Sequence, residues 1–202
     1  MKKNDIEFRS IQTELKSGEG RLISGLAIPI NSQSELLSGK NGVRFYEIIS
    51  PFAVTDSLIQ ANDVRIFLDH DESQGTYARS KFGEGSLKLS VTERGLEFKF
   101  EAPETAFGDV LIEGIKRGDY DAVSFAFISN PKKEEVTTNE DGTYTRIINE
   151  ILWLGEISIL SQLPAYEVTD VSVRSLNDFI ENRNNEILSN LDKIYKEFEK
   201  NI

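Results

Sequence analysis

The sequence predicts an α+β protein with a strand-rich, barrel-like core, surrounding helices and an amphipathic helix at its C-terminus. Short stretches of alternating apolar and polar residues, typical of strands, recur between residues 21 and 175. Beyond residue 175 the apolar spacing changes to three and four, and glycine and proline no longer occur. With 202 residues, of which 39% are hydrophobic, the chain can bury one substantial core.

The first half of the chain predicts two strands and a short helix. The segment from Arg21 to Ile30 is rich in β-forming residues and predicts a strand. Ser50 is placed to cap a helix whose first residue is Pro51. The residues expected on the buried side of that helix are Phe52, Leu58 and Ile59. The next segment, "DVRIFLD", predicts a strand that leads directly into His70.

The middle of the chain predicts a hairpin, a helix and a strand. In "SLKLSVTERGLEFKFEA" two alternating runs flank a turn at Glu93-Arg94-Gly95. In the next segment, Phe107, Leu111 and Ile115 lie at helical spacing, and Gly118 predicts the end of that helix. The run "AVSFAFIS" predicts a strand, and "NEDGTY" predicts a turn between two further extended segments.

The last third predicts a long strand, a break and a separate helix. The apolar run "EILWLGEISIL" predicts a strand bent at Gly155, followed by a break at Pro164 and one more short strand. From Leu176 onward the apolar spacing predicts one amphipathic helix of roughly 25 residues. The members of its stripe are Ile180, Ile187, Leu191, Ile194 and Phe198. Residues 1–175 are therefore expected to form the main domain and residues 176–202 a helix, which packs either on that domain or on a second copy.

Composition excludes several classes of function. The absence of cysteine excludes disulfides, thiol nucleophiles and cysteine–metal sites. A net charge of −11 without a compensating basic cluster disfavours direct binding to nucleic acid. No apolar run is long enough to span a membrane. A single histidine is too few for a zinc site, no calcium-loop spacing occurs, and no phosphate-binding glycine loop is present, so neither a metal nor a cofactor is expected.

Three residues could together support nucleophilic catalysis. Ser124 shares its strand face with the small residues Ala122 and Ala126, which leave room for a substrate backbone. Serine needs a base, and His70, the only histidine, is expected at the exposed end of a strand. Glu156 is an acid within an apolar strand, where an unpaired carboxylate would be costly and therefore requires a partner.

Each of these residues also has a purely structural interpretation. Ser124 fits equally well as a small residue on a crowded strand, His70 as a half-exposed residue in a turn, and Glu156 as a solvent-facing strand end. Asp69 and Asp71 are less suited to orient the imidazole, because neighbours along a strand point to the opposite face. Residue spacing alone therefore does not choose between a catalytic and a structural role.

The chain resembles the prohead proteases of tailed bacteriophages, serine peptidases of capsid maturation that are related to the herpesvirus assemblins. The resemblance extends from about residue 23 to residue 174 and rests on six segments in the family's order, with the histidine before the serine. The segments are "ISGLAIPINSQS", "FYEIISPFAV", "DVRIFLDHD", "TERGLEFKFEAPET", "IKRGDYDAVSFAFI" and "EISILSQLPAYEVTDVSVRS".

The resemblance implies a role for each candidate residue. It assigns the nucleophile to Ser124, in a segment that relatives write Ser-x-Gly-Phe and that has Ala126 in place of the glycine. It assigns the base to His70. The herpesvirus enzymes use a second histidine as third member, which this chain lacks, so Glu156 takes that place. The oxyanion donors are expected in the turn around Ala165 and Tyr166, since Pro164 has no N–H.

The resemblance also implies a herpesvirus-protease-like fold and a serine endopeptidase that cleaves scaffold and capsid precursors and itself. Its partners would be the major capsid protein, the scaffold and further copies of the chain, with homo-oligomers possible, inside the procapsid in the host cytoplasm. On this interpretation the C-terminal helix is either a scaffold link or a tail lost in self-processing. Two alternatives remain: a catalytically silent, protease-like assembly or scaffolding protein of the procapsid, and a general hydrolase on the same fold.

Overall fold

The described strands form three open sheets rather than the expected closed barrel. A computed structural model describes residues 6–39, 42–162 and 174–200. Within these ranges the three sheets contain six, four and four strands, and each sheet ends in an edge strand instead of pairing back on itself. The barrel-like expectation is therefore wrong for this part of the chain, whereas the mixture of sheets and helices is confirmed.

The regular elements follow one another as fourteen described strands and three described α-helices. The strands are β1 (Glu7–Gln12), β2 (Lys16–Ser17), β3 (Leu22–Pro29), β4 (Leu37–Ser38), β5 (Arg44–Ile49), β6 (Asp63–Leu68), β7 (Ala78–Lys81), β8 (Glu84–Gly85), β9 (Lys88–Thr92), β10 (Gly95–Glu101), β11 (Ala122–Ser129), β12 (Glu134–Thr138), β13 (Tyr144–Ile148) and β14 (Ile151–Leu160). The helices are α1 (Asp56–Ala61), α2 (Ala106–Arg117) and α3 (Arg174–Lys200).

The six-stranded sheet is the centre of the molecule and has the strand order β1-β11-β14-β6-β7-β8. Its strands pair antiparallel, except for the parallel pair β14 and β6. The smaller sheets have the orders β2-β3-β10-β9 and β12-β13-β5-β4. Because side chains alternate along a strand, β6, β11 and β14 give one set of residues to the hydrophobic core and the other set to the opposite face. Val123, Phe125 and Phe127 of β11 belong to the core.

Several predicted elements are confirmed, and one is confirmed only in part. The β9–β10 hairpin, α2 with its left-handed Gly118 cap (φ 76°) and the strands at β3, β6, β11 and β14 lie where the sequence predicts them. A single 3₁₀ turn (Pro51–Ala53) begins at Pro51 with Ser50 in the N-cap position, as predicted, but the α-helix begins only at Asp56, where the side chain of Thr55 caps it. Phe52, predicted to be buried, is 79% exposed. The short strand predicted after Pro164 lies outside the described residues.

A buried ion network joins the six-stranded sheet to the β12-β13-β5-β4 sheet. Arg146 contacts Glu7 and Glu47 through Nη1, both at 2.7 Å, and Glu134 through Nη2 at 2.6 Å. Arg9 contacts Glu7 at 2.8 Å and Glu47 at 2.7 Å. All five side chains are at most 10% exposed. Two guanidinium groups thus face three carboxylates in a setting where an unpaired charge would be costly.

The pKa of Glu7 shows how strongly this network favours ionised groups. Burial raises the pKa of Glu7, but the charges of Arg146 and Arg9 outweigh burial and lower it from 4.5 to about 2. The carboxylate therefore stays ionised over the range in which most proteins work. The ion pairs of Glu7 and Arg9 therefore anchor strand β1 to the rest of the protein.

Helix α3 begins on the body of the protein. Its first described side chain, Leu176, is 1% exposed and packs in a small cluster with Leu37 and Phe45, against which Ile180 also packs. Further along, Ile187 is 48% exposed. Over the described ranges, no helix combines the length and the apolar character that crossing a membrane requires.

Candidate active site

Ser124 lies on β11, the second strand of the six-stranded sheet, on the face opposite the core. Ser10 of β1 and Ser158 of β14 are its Cα partners on the two sides, so the three serines form a row across the sheet. We call this side of the sheet the serine face. Ser124 is fully buried, and its Oγ atom makes no hydrogen bond within the described part of the chain. A buried hydroxyl without a partner costs about 1–3 kcal/mol, which invites a functional explanation, although Ser17, Ser50 and Ser80 share this condition.

A β-bulge in β14 directs Glu156 to the serine face. Ala126 pairs with Glu156, whereas the next residue, Phe127, pairs with Leu154, so that Gly155 is the extra residue. The bulge lets Leu154 point into the core while Glu156 points away from it. A side chain at position 155 would collide with the Trp153 ring, since an added Cβ atom would lie 1.9 Å from it. The predicted bend at Gly155 is confirmed as this bulge.

His70 lies in a tight turn directly after β6. Both Asp69 (φ 51°) and His70 (φ 60°) adopt the left-handed conformation, which is unfavourable for residues other than glycine. The Asp69 carboxylate compensates for this conformation by accepting hydrogen bonds from the backbone N–H (2.8 Å) and the hydroxyl (2.7 Å) of Ser161. The ends of β6 and β14 are thereby tied together, and the imidazole is turned back over the sheet instead of continuing the strand.

His70 and Glu156, distant in sequence, form a hydrogen-bonded pair. The distance from His70 Nδ1 to Glu156 Oε1 is 2.5 Å, and the Ser158 hydroxyl donates to the same carboxylate oxygen at 2.6 Å. Burial raises the pKa of Glu156, but the hydrogen bonds from His70 and Ser158 prevail and hold it below its ordinary value. An ionised carboxylate is a pure acceptor, so Nδ1 carries a proton, and in the neutral imidazole with this tautomer Nε2 is the nitrogen with the lone pair.

Ser124 and His70 are neighbours on the serine face but do not contact one another by a hydrogen bond. Ser124 is two residues before Ala126 on β11, about 7 Å along the strand, and Ala126 is the Cα partner of Glu156. His70, bound to Glu156, therefore lies close to the Ala126 row. The structure thus joins two of the three predicted residues directly and places the third one row away.

Sequence reasoning missed Ser158 and could not position the oxyanion donors. Ser158 lies two residues after Glu156 and therefore on the same face of β14. This spacing could have predicted the hydrogen bond from its hydroxyl to the Glu156 carboxylate. Asp69 was considered as a partner of the imidazole, but it binds Ser161 instead. Ala165 and Tyr166, the predicted oxyanion residues, lie outside the described residues.

A serine on the same sheet face as a hydrogen-bonded histidine–carboxylate pair is the set of groups that serine peptidases use. In agreement, residues 5–182 match the family model of the caudovirus prohead serine proteases. The chain belongs to this family of capsid-maturation proteases. Among solved structures, it is similar to the capsid assembly protease of bacteriophage T4, with a TM-score of 0.45 and 12% identity over 78% of this chain and 99% of that chain. No curated protein matches the sequence.

Proposed function

We propose that this protein is a serine endopeptidase that cleaves scaffold and capsid precursors, and itself, inside the procapsid. The observation that supports this most is the 2.5 Å contact between His70 and Glu156 on the sheet face that also presents Ser124. The membership in the prohead protease family supports the setting that we propose, the interior of the prohead in the host cytoplasm. Its substrates would be the major capsid protein, the scaffold and other copies of the chain, and no cofactor is needed for this chemistry.

The proposed mechanism assigns one task to each residue. Ser124 Oγ attacks the carbonyl carbon of the scissile peptide bond, and His70 Nε2 accepts the proton of the hydroxyl. The Glu156 carboxylate holds the Nδ1 proton and stabilises the imidazolium that forms. His70 then gives its proton to the leaving amine as the C–N bond breaks. Water, deprotonated by the same imidazole, cleaves the acyl-enzyme ester and restores the Ser124 hydroxyl.

The mechanism requires Ser124 and His70 to come together when substrate binds. Catalytic hydrogen bonds are often long or absent in the free enzyme and form in the substrate complex. Among the described residues the Ser124 hydroxyl has no hydrogen bond that must break before it approaches the imidazole. His70 Nδ1, already bound to Glu156, fixes the tautomer that such an approach needs.

A co-expression experiment tests this function. The chain, as wild type or His70→Ala, is expressed with its cognate capsid and scaffold proteins, and all chains are measured by intact mass spectrometry. Because His70 is the only histidine, its loss cannot be replaced by another imidazole. We expect fragments of scaffold and of the chain itself with the wild type only. The exposed strand serine Ser90 supplies the control variant, Ser90→Ala, which should cleave like the wild type.

The intact-mass measurement of the co-expression experiment also tests the division of the chain at residue 175, which we propose as the end of the protease domain. Self-processing near this point would release residues 176–202, whereas a scaffold link would keep them attached. Leu176 packs against Leu37 and Phe45, so the first turn of α3 contacts the body of the protein before any processing.

The second candidate function is a catalytically silent assembly protein of the procapsid. One observation favours it: Ser124 is fully buried and its hydroxyl forms no hydrogen bond with His70. In that case both the wild type and His70→Ala would give only uncleaved chains while capsids still assembled. This outcome would contradict the peptidase proposal.

A further inference from the structure

The ring of Phe8, on the N-terminal strand, packs against the His70 imidazole. The ring centroids are 5.2 Å apart and the ring planes are nearly perpendicular, at 88°. Perpendicular aromatic pairs at this distance are attractive. Glu156 binds the same imidazole through Nδ1. His70 is therefore contacted by side chains of two strands, β1 and β14, that lie on opposite sides of β11.

The register of the sheet explains how one imidazole reaches both strands. Phe8 pairs with Ala126, and Ala126 pairs with Glu156, so these three residues form one row across the serine face. The imidazole that contacts both ends of the row lies over its middle member. Ala126 is small enough to leave that space, and the ring is confined along the row by Phe8 and Glu156.

The opposite face of β1 fixes the position of Phe8. Its chain neighbours Glu7 and Arg9 point the other way, into the buried ion network. Arg9 Nη1 also donates a hydrogen bond of 2.8 Å to the backbone carbonyl of Phe8. Although the Phe8 side chain is 43% exposed, its backbone is thus held from three directions: by β11, by the network and by this hydrogen bond.

We propose that Phe8 is a positioning residue that holds the His70 imidazole over β11, where its Nε2 atom can meet Ser124. The catalytic consequence rests on the peptidase function proposed above, whereas the contact itself does not. Without the Phe8 ring, the imidazole would remain tied to Glu156 but would be free to swing toward solvent on the β1 side. A base that spends less time beside its nucleophile lowers the rate of the chemical step and leaves substrate binding largely unchanged.

The contact is tested first by NMR, which needs no activity. Because His70 is the only histidine, its two ring C–H signals are unique in a spectrum of protein labelled with ¹³C-histidine. We expect nuclear Overhauser effects from the Phe8 ring to these protons, and a change in their chemical shifts in Phe8→Ala. Phe8→Tyr should retain the effects. Phe107→Ala removes a similarly exposed phenylalanine (54%) from α2 and should leave the His70 signals unchanged.

The catalytic role is tested with the same variants in a scaffold-cleavage assay. For Phe8→Ala and Phe8→Leu we expect kcat to fall about 10-fold or more while KM changes less than about twofold. Phe8→Tyr, which keeps the aromatic ring, should have a kcat close to that of the wild type, and so should Phe107→Ala. Thermal unfolding of each variant separates loss of fold from loss of positioning.

The outcomes distinguish this proposal from the function on which it rests. His70 signals that are unchanged in Phe8→Ala would contradict the positioning role at once. Shifted signals together with an unchanged kcat would also overturn it. A wild-type protein that shows the Phe8–His70 effects but cleaves nothing would instead contradict the peptidase function and leave the contact established.

Discussion

Replacing Ser124 by alanine is expected to lower kcat for scaffold cleavage by on the order of 10⁶-fold, the loss typical of removing a serine nucleophile. The substitution removes one oxygen atom that is fully buried and makes no hydrogen bond to any described residue. It should therefore leave the free energy of unfolding unchanged or raise it slightly, because a buried unpartnered hydroxyl is unfavourable. Cleavage kinetics and urea unfolding of the same preparation measure both effects.

Ser158→Ala is the matched control, since Ser158 is equally buried and is the Cα partner of Ser124. Its hydroxyl donates to Glu156, so its loss should weaken the orientation of the carboxylate and lower kcat by about 10-fold, far less than the loss at Ser124. A Ser158→Ala variant that is as inactive as Ser124→Ala would show that the two serines have been assigned to the wrong roles.

Replacing Arg146 by methionine is expected to lower the free energy of unfolding by about 3–5 kcal/mol. Arg146 is 2% exposed and contacts Glu7, Glu47 and Glu134 at 2.6–2.7 Å. Its removal leaves three buried carboxylates with Arg9 as the remaining cation of the network described above. Since that network joins two sheets, the loss should appear as a lower urea midpoint of the whole domain.

Arg94→Met is the control for a salt bridge at the surface. Arg94 contacts Glu97 at 3.8 Å and is 67% exposed, so its loss should change the free energy of unfolding by less than about 1 kcal/mol. Arg146→Lys keeps a charge but loses the fork of donors, and we expect a destabilisation between those of the other two variants. A change below about 1 kcal/mol in Arg146→Met would contradict the view that this network fastens β1 to the protein.

Local pattern was sufficient to predict β11 and the faces of its side chains. The alternation of Ala122, Ser124 and Ala126 with large apolar residues placed the serine opposite the core, as the structure confirms. The partnership of His70 with Glu156 could also be predicted, because one chain offers a single imidazole and an acid in an apolar strand must find a partner.

Other features depend on tertiary contacts that no local pattern shows. Strand β1 was not predicted, because its sequence "EFRSIQ" buries charged residues in an ion network formed by distant strands. Its residue Phe8 consequently had no predicted relation to His70. The single helix predicted from Pro51 is a 3₁₀ turn at Pro51 followed by an α-helix from Asp56, because Ser50 and Thr55 are both suitable N-cap residues and only the folded chain shows which one begins the α-helix. The open sheets replace the expected barrel for the same reason, since strand pairing is not local.

The central claim is that Ser124 is the nucleophile and that His70 activates it, and covalent labelling tests it most directly. Procapsids assembled by co-expression are treated with a fluorophosphonate, which reacts with an activated serine, and the modified residue is found by peptide mass spectrometry. We predict one adduct, on Ser124, which is absent from the His70→Ala protein. An adduct on a different residue, or cleaved scaffold without any adduct, would contradict the claim.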